Sequence, residues 1–360
     1  MRLDASNLPA VARGCAVLGT GGGGDPDLGL TMALRAVAEY GPVDVVPIEA
    51  LPDEALVVPC GLIGAPSVAS ERIWNGDEGR ILRNEVERLR GRGVAALMPY
   101  EIAGANGILP VTWAARIGLP LLDADGMGRA FPGLRQQAMH VAGIDASPLV
   151  LTDARGNAVV VYASEVSQVE RLARSAAASL GGVAAAALYC MTVRDAGGAV
   201  VHGSLSRALA LGEAMRAGSA AERVAALCQA LGGTVLIEGK VLDVERRIDA
   251  GSLKGSATIQ SAGHAGLRHL RLELQNEFLI AVEDGVVRAV VPDLICVLAS
   301  DSGEPIATEW LRYAQRVSVL AAPGPALWRS AGGLALAGPS AFGYDVAYAP
   351  VGHEAADARA

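Results

Sequence analysis

Glu101, Asp123, Asp125, Arg129 and His140 bring three acids, a guanidinium and an imidazole into one stretch of the chain. Glu101 directly follows the apolar run from Val94 to Tyr100 and precedes Gly104, a place where an acid has no evident structural task. A carboxylate at a strand end, further acids nearby and a histidine form either a general acid/base set or a ligand set for one divalent metal, with Glu101, Asp123 and His140 as the ligands. The residue pattern leaves both open, although no HxH, HExxH or CxxC spacing occurs. Arg129 is the alternative neutralising charge for Asp123 and Asp125 and a contact for a bound anion. Each residue also has a plain structural reading: Asp125 as a turn cap before Gly126, His140 as a core histidine, Arg129 as half of an ion pair.

A second feature is the run Gly19-Thr20-Gly21-Gly22-Gly23-Gly24-Asp25-Pro26. Gly21, Gly22, Gly23 and Gly24 leave a bare backbone whose N–H groups a ligand can approach closely, and Asp25 with Pro26 opens a helix running to about Tyr40. Apolar positions 8, 11, 12, 15 and 18 predict a helix before the glycines. Neither a dinucleotide fingerprint nor a Walker loop fits, because a helix precedes the run and no Gly-Lys-Ser/Thr closes it. The loop therefore reads either as an anion or carbonyl binder at a helix N-terminus or as a tight interhelical turn.

The elements that must position these residues come in two styles. Apolar runs at Val43 to Ile48, Ala55 to Cys60, Val94 to Tyr100 and Leu119 to Asp123 alternate with helical patterns, which predicts an α/β part with a mainly parallel sheet. Ligands of such sheets collect beyond the carboxyl ends of the strands, here Cys60, Glu101 and Asp123 to Asp125. Cys60 there is a candidate nucleophile, though its apolar setting favours a buried thiol. From Thr234 onward short strands and turn signals such as Glu283-Asp284-Gly285 predict a β-rich α+β domain. The domain boundary is placed at residues 165 and 166, giving 1–165 and 166–360. In the second domain Gln275-Asn276-Glu277-Phe278 interrupts an apolar strand pair and offers Asn276 either as a bulge or hairpin residue or as a substrate contact. His202, His264, His269 and His353 lie in polar stretches and are expected at surfaces or interfaces, and the tail from Gly352 is expected to fray.

At 360 residues, with 51% hydrophobic and 4% aromatic residues and 44 glycines, the composition suits a two-domain enzyme better than a binding module with aromatic platforms. A formal charge of −8 without basic clusters argues against nucleic acid as a partner. The five scattered cysteines, an N-terminus without a leader pattern and the lack of a long apolar segment predict a soluble cytoplasmic protein with no membrane partner. A homo-oligomer is compatible with all of this.

Several segments together resemble the S-methyl thiohydantoin desulfurase family. They are residues 18–26, Val58-Pro59 with Gly64-Ala65-Pro66, Pro99 with Glu101-Ile102, residues 123–132, Glu273 to Glu277, residues 291–295 and residues 341–346. The resemblance spans about residues 8 to 351. It implies an N-terminal α/β domain, a β-rich C-terminal domain, and hydrolytic loss of a sulfur substituent from a five-membered heterocycle. On that basis Glu101 is expected as general base or metal ligand, Asp123 and Asp125 as orienting groups and His140 as proton donor. The glycine loop and Arg129 are expected to hold the substrate. The rival expectations are a hydantoin or oxoproline ring-opening hydrolase, or its subunit, and a non-catalytic binding or assembly subunit.

Overall fold

A computed structural model describes residues 1–72, 74–249, 252–261 and 267–352; His264, His353 and the tail beyond residue 352 lie outside them. In chain order the first elements are β1 (Arg2–Leu3), α1 (Leu8–Leu18), α2 (Pro26–Tyr40), β2 (Val43–Val46), β3 (Leu56–Gly64), α3 (Pro66–Glu71), α4 (Glu78–Arg90), β4 (Val94–Pro99) and α5 (Gly104–Ile117). Then come β5 (Leu121–Leu122), β6 (Ala124–Asp125), α6 (Ala138–Val141), β7 (Leu149–Thr152), β8 (Ala158–Val161), α7 (Val166–Ser179), β9 (Val183–Ala187), β10 (Met191–Thr192), α8 (Val193–Ala196), β11 (Val201–His202) and α9 (Ser204–Ala214). The rest is α10 (Ala220–Leu231), β12 (Thr234–Asp249), β13 (Ser252–Ser261), β14 (His269–Gln275), β15 (Glu277–Glu283), β16 (Val286–Val290), β17 (Leu294–Ala299), β18 (Arg316–Ala322) and α11 (Ala331–Ala337).

The chain forms two compact units. One holds Met1–Cys15, Gly23–Gly128 and Pro132–Leu209; the other holds Ala16–Gly22, Arg129–Phe131 and Ala210–Ala360. Among the described residues the first unit is built on a sheet of order β1-β2-β5-β4-β3-β9-β7-β8, with β10 also paired to β3. Only the β2-β5-β4-β3 stretch is parallel; β1, β9, β10, β7 and β8 all pair antiparallel. The sheet is thus mixed, correcting the mainly parallel expectation. Alternation of strands with helices does not encode strand direction, and β9 returns along β3 after α7 in the opposite sense. The stretch beyond residue 165 is divided, with α7, β9 and β10 completing this first sheet unit.

Local sequence explains the elements that flank the site. Asp25 caps α2 by accepting from the Asp27 N–H at 3.0 Å, with Pro26 at the first helical position. α5 is buried all round from Gly104 to Ala114, as a helix made of small and apolar residues at its start must be, and ends at left-handed Gly118. It packs against α2 and lies on β4 and β3. The second unit has an antiparallel sheet of order β16-β15-β14-β13-β12-β18-β17. Its apolar face buries Ile237, Ile259, Leu272, Phe278, Val297 and Val319. Here the expected β-rich part is found.

Candidate active site

β4 and β5 are adjacent parallel strands, and the chain leaves their carboxyl ends into Glu101 and into Asp123. Glu101 is only 5% exposed, and the Asn106 carboxamide donates to its carboxylate at 2.6 Å. Asn106 in turn accepts from the Leu62 N–H at 2.8 Å through its side-chain oxygen, which orients the amide with its nitrogen toward the acid. Gly61 leaves room for that arrangement: a Cβ there would fall 3.1 Å from the Asn106 side-chain oxygen and 2.6 Å from the Tyr100 ring. An acid beyond one strand is thus fastened to the next through the first turn of α5.

Asp125 is fully buried, yet its carboxylate accepts from the N–H groups of Ile102 (2.9 Å), Met127 (2.9 Å) and Gly128 (2.8 Å) and from the Ser204 hydroxyl. Burial pushes its pKa up to about 6, against the lowering pull of these four donors. Its bonds to Ile102 and to its own loop tie the Glu101 turn to the Asp123–Gly128 segment. Asp123, half-buried, accepts from the Leu205 and Ser206 N–H groups, each at 3.0 Å, and from the Ser206 hydroxyl. It therefore serves the first turn of α9. Both aspartates are accommodated by uncharged donors.

His140 sits half-buried in the short helix α6, reached through Gly126, whose carbonyl accepts from the Ala138 N–H at 2.7 Å and whose N–H donates to the Tyr100 carbonyl at 3.2 Å. No hydrogen bond joins His140 to Glu101 among the described residues. The described residues also contain no group of three or more His, Cys, Asp and Glu side chains that could hold a metal ion. The ligand set Glu101, Asp123 and His140 is accordingly not assembled, because Asp123 is spent on α9.

In the second unit the stretch from Leu18 to Gly22 is packed into the β sheet's surroundings. Thr20 adopts φ 47°, costly for a β-branched residue. It is held there by its carbonyl accepting from the Phe278 N–H at 2.8 Å and its hydroxyl accepting from Arg129 at 2.8 Å. Arg129, fully buried, donates further to the carbonyls of Ala130, Pro292 and Asp293. Its guanidinium also lies over the Phe131 ring, 4.8 Å from the centroid. The Gly21 carbonyl accepts from Thr308, and a Cβ at Gly21 would lie 2.7 Å from the Phe278 ring. A Cβ at Gly22 would lie 2.4 Å from a Glu277 carboxylate oxygen. The close approach that glycine permits at these two positions is thus to the protein's own side chains, and the loop is half-buried. In the first unit, Gly23 at φ 86° presses on the Ala103 backbone and its carbonyl accepts from Asn106 N–H, while Gly24 at φ 80° has more room beside Ala105.

Asn276 joins β14 to β15 at φ 62° and exchanges hydrogen bonds with Leu253, its N–H donating to that carbonyl and its side-chain oxygen accepting from that N–H. Its carbonyl also accepts from Thr308 at 2.6 Å. Asn276 is thus the corner of the β14–β15 hairpin, and the register shift of this strand pair lies at Glu273 and Leu274. Cys60 lies inside β3, which runs on to Gly64, and burial pushes its thiol far above the ordinary range. A nucleophilic role there is overturned by the strand's greater length. Cys190, also buried, is pushed up to about 12. His202 and His269 are both exposed. Residues that the site reading passed over are Thr20, Asn106, Gln137, Glu277 and Thr308. For Asn106 a signal existed, a lone amide in an apolar helix start shortly after Glu101.

The architecture defines a two-unit protein whose mixed-sheet unit carries buried carboxylates beyond its parallel strands. The chain belongs to the S-Me-THD-like family: the family's N-terminal domain model matches residues 6–163 and its C-terminal domain model matches residues 163–351. A crystal structure of a protein from Chromobacterium violaceum is similar, with 25% sequence identity over 98% of this chain and 100% of that chain, and a TM-score of 0.79. No curated protein matches. Among the described residues no helix is long and apolar enough to cross a membrane.

Proposed function

We propose that the chain hydrolyses the exocyclic carbon–sulfur bond of an S-methyl thiohydantoin, giving the hydantoin and methanethiol. The observation that carries the reading is Glu101, a buried carboxylate held by Asn106 beyond the end of β4, in a chain of the S-Me-THD-like family. Glu101 takes a proton from water as the oxygen attacks the ring carbon bearing S-methyl. A C–O bond forms, and the C–S bond breaks as the carbonyl develops. Of the two water protons one ends on a ring nitrogen and one on the departing sulfur, the latter delivered by His140. Asp125 and Asp123 act as positioning residues, the first through the Glu101 turn and the second through α9. The N–H groups of Gly23 and Gly24 donate to nothing among the described residues and directly precede α2, so they serve a ring carbonyl or a side-chain carboxylate. Arg129 supports the loop through Thr20.

The test is product analysis with purified chain and an S-methyl thiohydantoin. Free thiol together with intact hydantoin is expected, and turnover is expected to fall by roughly 10²–10⁴-fold in Glu101→Gln. An opened carbamoyl acid without thiol would replace this reading by ring hydrolysis. No turnover of either kind, with binding retained, would replace it by a non-catalytic subunit.

A further inference from the structure

We propose that Gln137 reads the lactam edge of the ring, its carboxamide pairing with a ring N–H and the adjacent carbonyl; this rests on the thiohydantoin reading above. Gln137 is fully buried, and neither its side-chain nitrogen nor its oxygen has a hydrogen-bond partner among the described residues. Its neighbour Gln136 is also buried but accepts from the Gly133 N–H at 2.9 Å. Burial of an amide is therefore satisfied locally at one position and left open at the next. Native proteins rarely leave both ends of a carboxamide unpaired, because each lost bond is costly.

The position of Gln137 is as informative as its lack of partners. A Cβ on Gly126 would fall 1.7 Å from the Gln137 side-chain oxygen and 2.7 Å from the Tyr100 carbonyl. The bare Cα at 126 is what lets the carboxamide reach this place. Gly126 is fixed on both sides, to the carbonyl of Tyr100 and, through its own carbonyl, to the residue after Gln137. The open amide consequently lies against the backbone that immediately precedes Glu101 and follows Asp125. A carboxamide offers a donor and an acceptor side by side, the complement of a cyclic N–H beside C=O. In a site closed to water such a pair discriminates strongly against a ring lacking either group.

The experiment compares wild type and Gln137→Met on an S-methyl thiohydantoin and on the analogue methylated at the lactam nitrogen, with thermal unfolding followed in parallel. Wild type is expected to lose about 10–100-fold in kcat/KM on the methylated analogue, mostly in KM, and Gln137→Met to lose a similar factor on the parent ring with no further loss on the analogue. The unfolding midpoint of the variant is expected to be unchanged or higher, since an unpaired amide is removed. Parent-ring kinetics in Gln137→Met equal to wild type, or equal sensitivity of both proteins to the added methyl, would overturn the inference and leave the desulfurase reading standing. If the variant does not fold, the wild-type comparison decides alone: equal kcat/KM on the two rings overturns the pairing. Should wild type neither bind nor turn over the parent ring, the desulfurase reading falls and this assignment with it.

Discussion

The Asn106 amide donates to the Glu101 carboxylate at 2.6 Å while its oxygen accepts from the Leu62 N–H, so one side chain ties an acid beyond β4 to strand β3. Replacing Asn106 by Ala removes that donor and leaves the Leu62 N–H without its side-chain acceptor, so the acid loses its fixed position. The expected outcome is a loss of about 10–100-fold in kcat/KM. Asn106→Asp should be worse, because it sets two carboxylates against each other. Wild-type kcat/KM in a folded Asn106→Ala would show that this contact only supports the fold.

Glu101 and His140 are proposed as base and acid of one reaction, so their losses should not multiply. Each single Gln variant is expected to lose roughly 10²–10⁴-fold in turnover, and the double variant little more than the worse single one. Fully multiplicative losses in single-turnover measurements would separate the two residues.

Within the glycine loop the cost of a side chain should depend on what surrounds each position. Gly21→Ala combines φ 94° with a contact at 2.7 Å to the Phe278 ring, and is expected to destabilise by about 2–4 kcal/mol. Gly24→Ala shares the strained backbone but meets Ala105 only at 3.5 Å, so roughly 1–2 kcal/mol is expected. Denaturant unfolding of both variants checks the order; Gly24 costing more than Gly21 would contradict the packing argument.

Asp123 has the bonds of a cap on α9, and Asp123→Ala is expected to cost about 1 kcal/mol, partly recovered by Asp123→Asn. Chelation by EDTA should change neither stability nor activity. A stoichiometric divalent ion lost on this substitution would restore its reading as a ligand.

Glu78, the first residue of α4, is fully buried, and its hydrogen bonds with Trp113 and nearby backbone only partly offset the cost of burying its charge. Burial raises its pKa above 4.5, so the folded state binds the proton more tightly than the unfolded state does. The stability tied to this group is complete below pH 4.5 and declines as pH rises from there through the folded pKa. Glu78→Gln should flatten the dependence of the unfolding midpoint on pH above that value and raise the midpoint at about pH 8 relative to wild type. Parallel pH curves for the two proteins would mean that Glu78 does not titrate in this window.

Much of the local structure was legible from residue types. Asp25-Pro26 announces the start of α2 because an N-cap oxygen and a fixed φ act within one turn, and the apolar run to Tyr100 announces β4 with an acid at its end. The β-rich second part was readable from turn signals, and the motifs shared between residues 8 and 351 pointed to the family that the domain matches show. Strand direction was not legible: β9 pairs antiparallel with β3 because of how the chain returns after α7, and no residue type records that return. Nor were the assignments of polar groups. Asp123 and Asp125 look alike in sequence, yet one holds the first turn of α9 and the other is buried among four donors. Hydrogen-bond partners come from segments as distant as Ser204, and only the folded chain brings them within reach. The same holds for Gln136 and Gln137, adjacent and identical, of which one has a partner at Gly133 while the other lies open against Gly126. Sequence determines which groups must be satisfied, and tertiary packing decides which of them are.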